Sequence, residues 1–263
     1  MAAFPQHVTL GRSGLQVGPL GVAGGYGVDA ASLHRALERG VNYWYHGSLA
    51  RGGMTQALRE ATAAGRRDRI VTVFQGYIEW GYWLERTLRR ELKKSGLDYA
   101  DVLLLGWYNK PPSEKIMARV AALRQQGLVR HVAVSSHHRP TFVTMAADPR
   151  FDALHIRYNA VHPGAERDVF PHLAPTGRPG VVAYTATCWG KLLSPGAMPA
   201  GEAPLRGRDA YRFVLSNPDF QVCMTGPKDA AQMDEALAAL DDGPLSPEEM
   251  ARIRKIGAHI HGK

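Results

Sequence analysis

Short, almost purely apolar runs alternate with longer amphipathic stretches along nearly the whole chain, and this alternation limits the fold more than any other feature. The runs are rich in β-branched residues, as in strands that are buried on both faces. The pattern predicts eight strands, at 17–22, 42–45, 70–74, 102–105, 129–135, 153–158, 181–184 and 222–225. It predicts helices between them, at 30–39, 54–64, 82–94, 113–126, 141–147, 208–215 and 230–240, with a short sixth helix at 168–173.

Several helix ends carry their own signals. Ser113 follows a proline at the start of one helix, and Gly127 follows the end of that helix, where a left-handed residue is favoured. Ser246 precedes Pro247 and two glutamates, a strong N-terminal signal for a last helix at 247–258 that lies outside the strand–helix count. Residues 8–10, before the glycines of 11–14, predict a small N-terminal hairpin.

Eight strand–helix units in 263 residues predict one (β/α)₈ TIM barrel, with the hairpin before it and the extra helix after it. The competing fold is an open doubly wound sheet. That fold needs a G-x-G-x-x-G turn after the first strand, and GVAGGYG at 21–27 lacks that order. No composition shift marks a boundary, so residues 1–263 are predicted to form a single domain. Sites in such barrels lie at the carboxyl ends of the strands.

Composition places the chain in a broad class. With 45% hydrophobic and 21% charged residues it is predicted to be globular, and its 2 cysteines cannot form a disulfide framework. No signal peptide or long apolar span is recognisable, which predicts a cytoplasmic protein without a membrane or metal partner. The formal net charge of +8 comes largely from basic runs at helical spacing, so we interpret it as helix surface rather than a nucleic-acid site.

Several segments resemble the aldo-keto reductase superfamily, whose members are NADP(H)-dependent reductases on a (β/α)₈ barrel. They span nearly the whole chain in order, and they read LGRSGLQVGPLGVAGG (10–25), ALERGVNYW (36–44), SGLDYADVLLLGW (95–107), LRQQGLVRHVAVSSH (123–137), FDALHIRYN (151–159), GVVAYTATCWGKLL (180–193) and MTGPKDAAQMDEAL (224–237). The resemblance implies hydride transfer from a nicotinamide to a small carbonyl substrate.

Members of this family share a catalytic aspartate, tyrosine, lysine and histidine. A phenol is a poor acid at neutral pH, so the lysine, held by the aspartate, makes the tyrosine a better proton donor, and the histidine polarises the carbonyl. The chain departs from the family at all four positions, which hold Tyr45, Ala50, Gln75 and Gly106. A shift of one residue restores none of them, since the neighbours are Arg51, Phe74 and Trp107.

These departures leave the proton donor open. The Tyr45 phenol, or His46 beside it, is a candidate substitute acid. Alternatively, Tyr45 is an aromatic residue that fills the barrel, and Gly106 only makes room for Trp107. Aromatic residues after strands three and four, namely Tyr77, Trp80, Trp83, Trp107 and Tyr108, are candidates for the wall of an apolar substrate pocket.

The nicotinamide end of the cofactor site is better preserved. The resemblance implies that Ser135 binds the carboxamide, while Ser136 replaces an asparagine beside it. His155 stands at a glutamine of the same contact, and Tyr184 matches the aromatic residue on which the nicotinamide ring stacks.

For the other end of the cofactor, the resemblance assigns Thr185 and the run 187–193, which contains Lys191, to the pyrophosphate. Gly226 and Lys228 fall in the loop for the adenosine phosphate, before a helix start that favours phosphate. Gln232 occupies a position often held by arginine. The preference for NADP(H) over NAD(H) rests chiefly on Lys228.

Three functions remain open. The first is an oxidoreductase that binds NADP(H) and reduces a carbonyl compound through a substitute acid. The second is a nucleotide-binding pseudoenzyme or regulatory barrel without redox turnover. The third is a barrel enzyme of another reaction type, which would use Tyr45, His46, Arg157 and the histidines at 137, 138 and 162.

Overall fold

A computed structural model describes residues 3–47, 52–77 and 83–262 of the chain. Its strands are β1 (Val8–Thr9), β2 (Gln16–Val17), β3 (Leu20–Ala23), β4 (Tyr43–Tyr45), β5 (Val71–Tyr77), β6 (Ala100–Gly106), β7 (Val129–Ser135), β8 (Ala153–Arg157), β9 (Gly180–Tyr184) and β10 (Val222–Thr225). Its helices are α1 (Ala30–Glu38), α2 (Gly52–Ala63), α3 (Leu84–Ser95), α4 (Glu114–Gln125), α5 (Arg139–Ala147), α6 (Ala165–Asp168), α7 (Gly207–Leu215), α8 (Ala230–Asp242) and α9 (Pro247–His261).

Strands β3 to β10 close into a barrel in which every neighbouring pair is parallel. The hairpin β1–β2 is antiparallel, and α9 follows the last strand–helix unit. The predicted (β/α)₈ barrel with an N-terminal hairpin and an extra C-terminal helix is therefore confirmed.

Two predicted elements differ from the structure. The expected first strand at 17–22 divides, because Val17 belongs to the hairpin and the barrel strand begins at Leu20. Gly18 and Pro19 separate the two, and a side chain at Gly18 would collide with the carbonyl oxygen of Gly40 at 2.0 Å. The expected sixth helix at 168–173 is also displaced. An α-helical turn ends at Asp168, and a 3₁₀ turn follows at Phe170–His172, where Pro171 supplies no N–H for a longer helix.

The predicted helix ends hold better. The Ser113 side chain accepts a hydrogen bond from the Ile116 amide, and Gly127 is left-handed with φ +72°. Ser246 and Glu249 form a reciprocal capping box, and α9 runs three residues further than expected, to His261. Tyr82, the expected start of the third helix, lies outside the described residues.

Inward-facing residues fill the barrel in layers. The closed part of the interior is apolar around Tyr43, and its members are Leu10, Val17, Val71, Val73, Val102, Leu104, Ala133, Ala153, Val182, Val222 and Met224. A second apolar layer lies between the strands and the surrounding helices. None of the described helices has the length and apolar character needed to cross a bilayer. The described part of the barrel interior is thus a packed apolar core.

Candidate active site

A cavity of about 560 Å³ opens at the carboxyl ends of the barrel strands. It extends from Tyr45 and Gln75, past Tyr184, to Gly226 and the start of α8. Its volume lies within the range of small-molecule sites. The predicted position of the site, at the carboxyl ends of the strands, therefore coincides with this cavity.

Tyr45 ends strand β4 and lies in register with Val73 of β5. Side chains alternate between the two faces of a strand, so Tyr45 and Gln75 both point to the barrel axis. The Tyr45 hydroxyl donates a hydrogen bond to the Gln75 Oε1. A neutral amide thus accepts a hydrogen bond from the phenol at the position where the resemblance implies a lysine.

Gly106 faces the same amide from strand β6. A Cβ atom at Gly106 would lie 2.1 Å from the Gln75 Nε2 and 3.0 Å from its Cδ. The absence of a side chain at 106 therefore leaves the space that the Gln75 amide occupies. Three of the four positions at which the sequence analysis expects a departure, Tyr45, Gln75 and Gly106, lie next to one another, and the fourth, Ala50, lies outside the described residues.

Trp107 follows directly and is held in an unusual backbone conformation, with φ +65°. Its amide donates to the Ser135 Oγ at 3.1 Å. Its side chain is 56% exposed and meets the ring of Tyr77 edge-to-face, with centroids 5.1 Å apart. Non-glycine residues with positive φ are uncommon and collect at functional sites, so this geometry marks the rim of the cavity.

The aromatic wall expected after strands three and four is only partly present. Tyr77 and Trp107 line the cavity. Tyr108 is buried beneath them, and Trp83 is exposed on the surface without lining the cavity. Trp80 lies outside the described residues.

His155 is buried on strand β8 and lines the floor of the cavity. Its Nε2 shares a hydrogen bond of 2.8 Å with the hydroxyl of Tyr43. Burial lowers the pKa of His155 to about 3, so the ring is neutral at physiological pH. It can offer Nδ1 to a bound molecule as an uncharged hydrogen-bonding atom.

Tyr184 ends strand β9 on the other side of the cavity. Its hydroxyl is buried and has no hydrogen-bond partner in the described part of the chain. Burial raises the pKa of Tyr184 to about 12. Thr185 follows in a left-handed conformation, φ +59°, and its carbonyl oxygen accepts a hydrogen bond from the Asn159 Nδ2 at 2.8 Å.

The far end of the cavity lies between β10 and α8. Gly226 packs against the ring of Tyr26, which a Cβ atom at 226 would meet at 2.7 Å. The Gln232 side chain accepts a hydrogen bond from the Lys228 amide at 3.0 Å, and Glu235 accepts one from the Gly207 amide at 2.8 Å. This end therefore combines a narrow backbone passage with polar side chains.

The start of α8 differs from a simple phosphate site. Asp229 caps the helix, and its Oδ1 accepts from the Gln232 amide at 2.9 Å. The Asp229 carboxylate therefore occupies one of the backbone N–H groups at the N-terminus of α8. It also places a negative charge where the sequence predicted attraction for phosphate. Lys228 is exposed beside it and does not line the cavity.

The structure brings seven of the predicted residues together around the cavity: Tyr45, Ser135, His155, Tyr184, Thr185, Gly226 and Gln232. His46, Ser136, Lys191 and Lys228 do not line it. The His46 Nε2 lies 3.0 Å from the Thr55 Oγ1, and its ring stacks on Phe74, between the barrel and its helices. Ser136 donates to the Asn109 Oδ1 and orders the loop after β7.

Sequence reasoning missed three aromatic residues of the cavity: the half-buried Tyr211 of α7, and the exposed pair Tyr26 and Trp189. Both are 62% exposed and line the opening. Each follows a barrel strand and lies next to a glycine, in GGYG and CWGK. An exposed aromatic residue in such a loop is the signal that would have found them. No cluster of His, Cys, Asp and Glu able to hold a metal ion occurs among residues 3–47, 52–77 and 83–262.

A closed parallel barrel with an elongated cavity at the carboxyl ends of its strands is the architecture of (β/α)₈ barrel enzymes. A family model then identifies the family of this chain. The model of the aldo/keto reductase family matches residues 28–194, well over half of the chain. The chain therefore belongs to the aldo/keto reductase family. A search of curated proteins gave no significant match.

Solved structures share this fold at low identity. An aldo/keto reductase from Klebsiella pneumoniae, in complex with NADP and acetate, is 20% identical with a TM-score of 0.77, covering 96% of this chain and 95% of that chain. A Klebsiella pneumoniae aldo-keto reductase in complex with NADPH is 20% identical with a TM-score of 0.76, covering 98% and 96%. The apo form of an aldo-keto reductase from Bacillus halodurans is 19% identical with a TM-score of 0.73, covering 95% of each chain. At these identities the likeness shows a common fold.

Proposed function

We propose that this protein is an NADP(H)-dependent oxidoreductase that reduces a small carbonyl compound, with Tyr45 as its proton donor in a non-standard active site. One observation carries the proposal: a single cavity connects the Tyr45–Gln75 pair to Tyr184 and to the polar end beside α8. A cavity of this length can accommodate a dinucleotide cofactor together with a small substrate.

The residues present fit a nicotinamide dinucleotide. The buried Tyr184 hydroxyl has no hydrogen-bond partner among the described residues, and its ring stands in the wall where a flat ring would stack. The Ser135 hydroxyl accepts from Trp107 and keeps its own proton for a carboxamide oxygen, while His155 offers a neutral ring nitrogen. Two solved structures of the same fold contain NADP or NADPH.

The other groups of the cofactor would meet backbone. The turn at 185–190, which includes Thr185, would hold the pyrophosphate, and Gly226 with Gln232 would border the adenosine. Lys191 and Lys228 supply positive charge near these groups from outside the cavity, and Lys228 is the residue that favours NADP(H) over NAD(H). Asp229 opposes that preference at the helix start.

When bound, a reduced nicotinamide would supply the hydride for the carbonyl carbon. Tyr45 would give its proton to the carbonyl oxygen, and the Gln75 amide would hold the phenol in place until then. Gln75 carries no charge and stabilises a phenolate less than a lysine does. We therefore propose slow turnover, since the loss of effective acid catalysis costs about 10² to 10⁴ in rate.

A second candidate is a nucleotide-binding pseudoenzyme or regulatory barrel. The close contact among Tyr45, Gln75 and Gly106 favours it, because the phenol proton is already engaged inside the site. Both candidates bind NADPH, and only the first oxidises it.

The test combines binding and turnover. We expect calorimetry to detect NADPH binding. We also expect the absorbance of the reduced nicotinamide to decrease when the protein is mixed with NADPH and at least one carbonyl compound from a broad panel. Tyr45→Phe should lower that rate at least about tenfold, because the substituted ring has no proton to give. The Tyr77→Phe variant, which alters another cavity phenol, should keep the rate.

The results separate the candidates. Binding without turnover would favour the pseudoenzyme. An unchanged rate in Tyr45→Phe would remove Tyr45 from the reaction, and a loss in Tyr77→Phe alone would transfer the role to Tyr77. No binding at millimolar NADPH would refute both candidates.

The proposal includes a cytoplasmic location for this oxidoreductase. Its two cysteines, Cys188 and Cys223, are both buried and free, which agrees with a reducing compartment.

A further inference from the structure

Arg157 is the last residue of strand β8 and lies beside the opening of the cavity, outside the set of residues that line it. It is in register with Tyr184 on β9 and lies two residues after His155, and both of these side chains line the cavity. Side chains that are paired across parallel strands, or two apart on one strand, share a face. The half-buried Arg157 therefore points to the mouth. Its guanidinium lies over the exposed ring of Trp189, with the Cζ atom 5.9 Å from the ring centroid.

Arg157 has no acidic partner in the described part of the chain, which is unusual for a half-buried arginine in this protein. The acids on the segment that follows β8 are already bound elsewhere. Glu166 pairs with Arg254 at 2.8 Å, and Asp168 pairs with Arg139 at 2.6 Å. Among the residues that the structure describes, the Arg157 charge is thus left without an acidic side chain to pair with.

The neighbouring titratable groups add no negative charge. Burial, and then the charge of Arg157, lowers the pKa of His137 and of His162. Lys191 and Arg139 act on His162 in the same direction. This part of the rim therefore presents fixed positive charge together with two imidazoles that favour the neutral form and can donate or accept a hydrogen bond.

The rim also has an aromatic side. The Trp107 ring lies 6.1 Å from the ring of His137 and borders Tyr77, and Trp189 lies under Arg157. A molecule bound here would meet rings along its body and the guanidinium at one end. The residues on this side of the mouth come from the carboxyl ends of strands β6 to β9 and from the loops that follow them. Gly226 and Gln232, which follow β10, lie on the other side of the cavity.

We propose that Arg157 binds the carboxylate of an acidic carbonyl substrate, so that this protein acts on oxo acids carrying an apolar or aromatic body. The planar guanidinium can donate two parallel hydrogen bonds to a carboxylate. The proposal rests on the proposed function for its carbonyl, but the anion site itself is testable without turnover.

The test measures binding of two matched probes, phenylglyoxylate and its neutral methyl ester, by isothermal titration calorimetry with and without NADPH. The wild-type protein should bind phenylglyoxylate more tightly than the ester. Arg157→Met should weaken phenylglyoxylate about ten- to a hundredfold and leave the ester unchanged, while Arg157→Lys should keep part of the difference. Arg86→Met is the matched control, since Arg86 also lies over a tryptophan, Trp83, but not at the cavity.

Each contrary result overturns the proposal. Equal affinity of the wild-type protein for the acid and the ester would do so, as would no binding of phenylglyoxylate at millimolar concentration. An unchanged affinity in Arg157→Met would also do so. If Arg157→Met weakens NADPH but not phenylglyoxylate, the residue serves a cofactor phosphate instead. If both Arg157 variants melt below the wild type, the ester titration shows whether the cavity is intact. Binding of phenylglyoxylate together with no NADPH oxidation across the whole carbonyl panel would support the anion site while refuting the reductase.

Discussion

The amide of Gln75 occupies the space that a side chain at position 106 would need. Gly106 and Gln75 lie on adjacent strands, and the Gln75 Oε1 accepts a hydrogen bond from the Tyr45 hydroxyl. The three residues thus form one packed unit in which each depends on the others. A change at one of these positions is therefore expected to alter the contacts of the other two.

This dependence predicts coupling between positions 75 and 106. Gly106→Ala should push the Gln75 amide away from its place and break its bond with Tyr45, since the new Cβ would lie 2.1 Å from the Nε2. Gln75→Ala removes the obstacle. In urea unfolding, the double variant should be less destabilised than the sum of the two single variants, by about 0.5 to 3 kcal/mol.

The control for this cycle is Gly65→Ala. Gly65 has no atom within 4 Å of a built Cβ, although its φ of +67° adds local strain. Its effect should add to that of Gln75→Ala without coupling. Additive effects at 75 and 106 would show that the amide moves freely out of the way.

At the scale of elements, α9 is fixed to the barrel by a close backbone approach. A Cβ atom at Gly257 would lie 2.1 Å from the carbonyl oxygen of Ala160, in the connection after β8. Two apolar residues beside Gly257, Ile253 and Ile256, are buried in the same contact face. The extra helix therefore covers the segment that begins at the cavity rim.

Gly257→Ala should destabilise the protein. The backbone collision should cost about 2 to 3 kcal/mol, which exceeds the helix preference for alanine of about 1 kcal/mol. Urea titration measures the effect. Gly262→Ala at the end of α9, where the nearest atom is 3.7 Å away, should change stability little. Equal effects of the two substitutions would mean that α9 can shift away from Ala160.

The elements that could be predicted from the sequence are those with a local signal of their own. The barrel strands were recognisable because burial on both faces demands apolar runs, and α4 and α9 because their caps use specific residues. The division of the first strand followed from the Gly18–Pro19 pair, a turn signal that its apolar neighbours concealed.

The site was harder to predict, because a sequence shows which residues lie near strand ends but not their direction. Tyr45 and His46 are adjacent, and alternation sends them to opposite faces, so one lines the cavity and the other packs against the helices. Ser135 and Ser136 divide in the same way. The contact of Gln75 with Gly106 depends on the pairing of two strands, which no local pattern reveals. The roles of all these residues in the reaction stay predictions.

At the scale of the whole molecule, the +8 charge is spread over the outside of the barrel. Basic residues of the expected helical runs form ion pairs with acids on neighbouring segments, such as Arg254 with Glu166 and Arg252 with Glu202. Exposed pairs of this kind add little stability. Arg157 differs from them because it faces the cavity without such a partner among the described residues.

The buried His155 gives the whole fold a dependence on pH. Its pKa of about 3 in the folded protein lies below the usual 6.5 of an unfolded chain, so only the unfolded chain takes up a proton between these values. Stability is therefore full above pH 6.5 and falls as pH decreases towards 3, by about 1.4 kcal/mol per pH unit for this group.

Unfolding in urea at several pH values between 7 and 4 measures this slope. His155→Gln should reduce the change in the free energy of unfolding per pH unit by the amount that corresponds to about one bound proton, since glutamine does not titrate. Gln6→Ala, which replaces an exposed residue without a titratable group, should leave the slope unchanged. An unaltered slope in His155→Gln would mean that the buried ring is already protonated in the folded protein.

The fit between Gln75 and Gly106 also limits how the site can be altered. With any side chain at position 106, the glutamine amide could not take its present place. A substitution at 106 alone therefore displaces Gln75 from Tyr45, and a redesign that places a new side chain at 106 has to change position 75 as well.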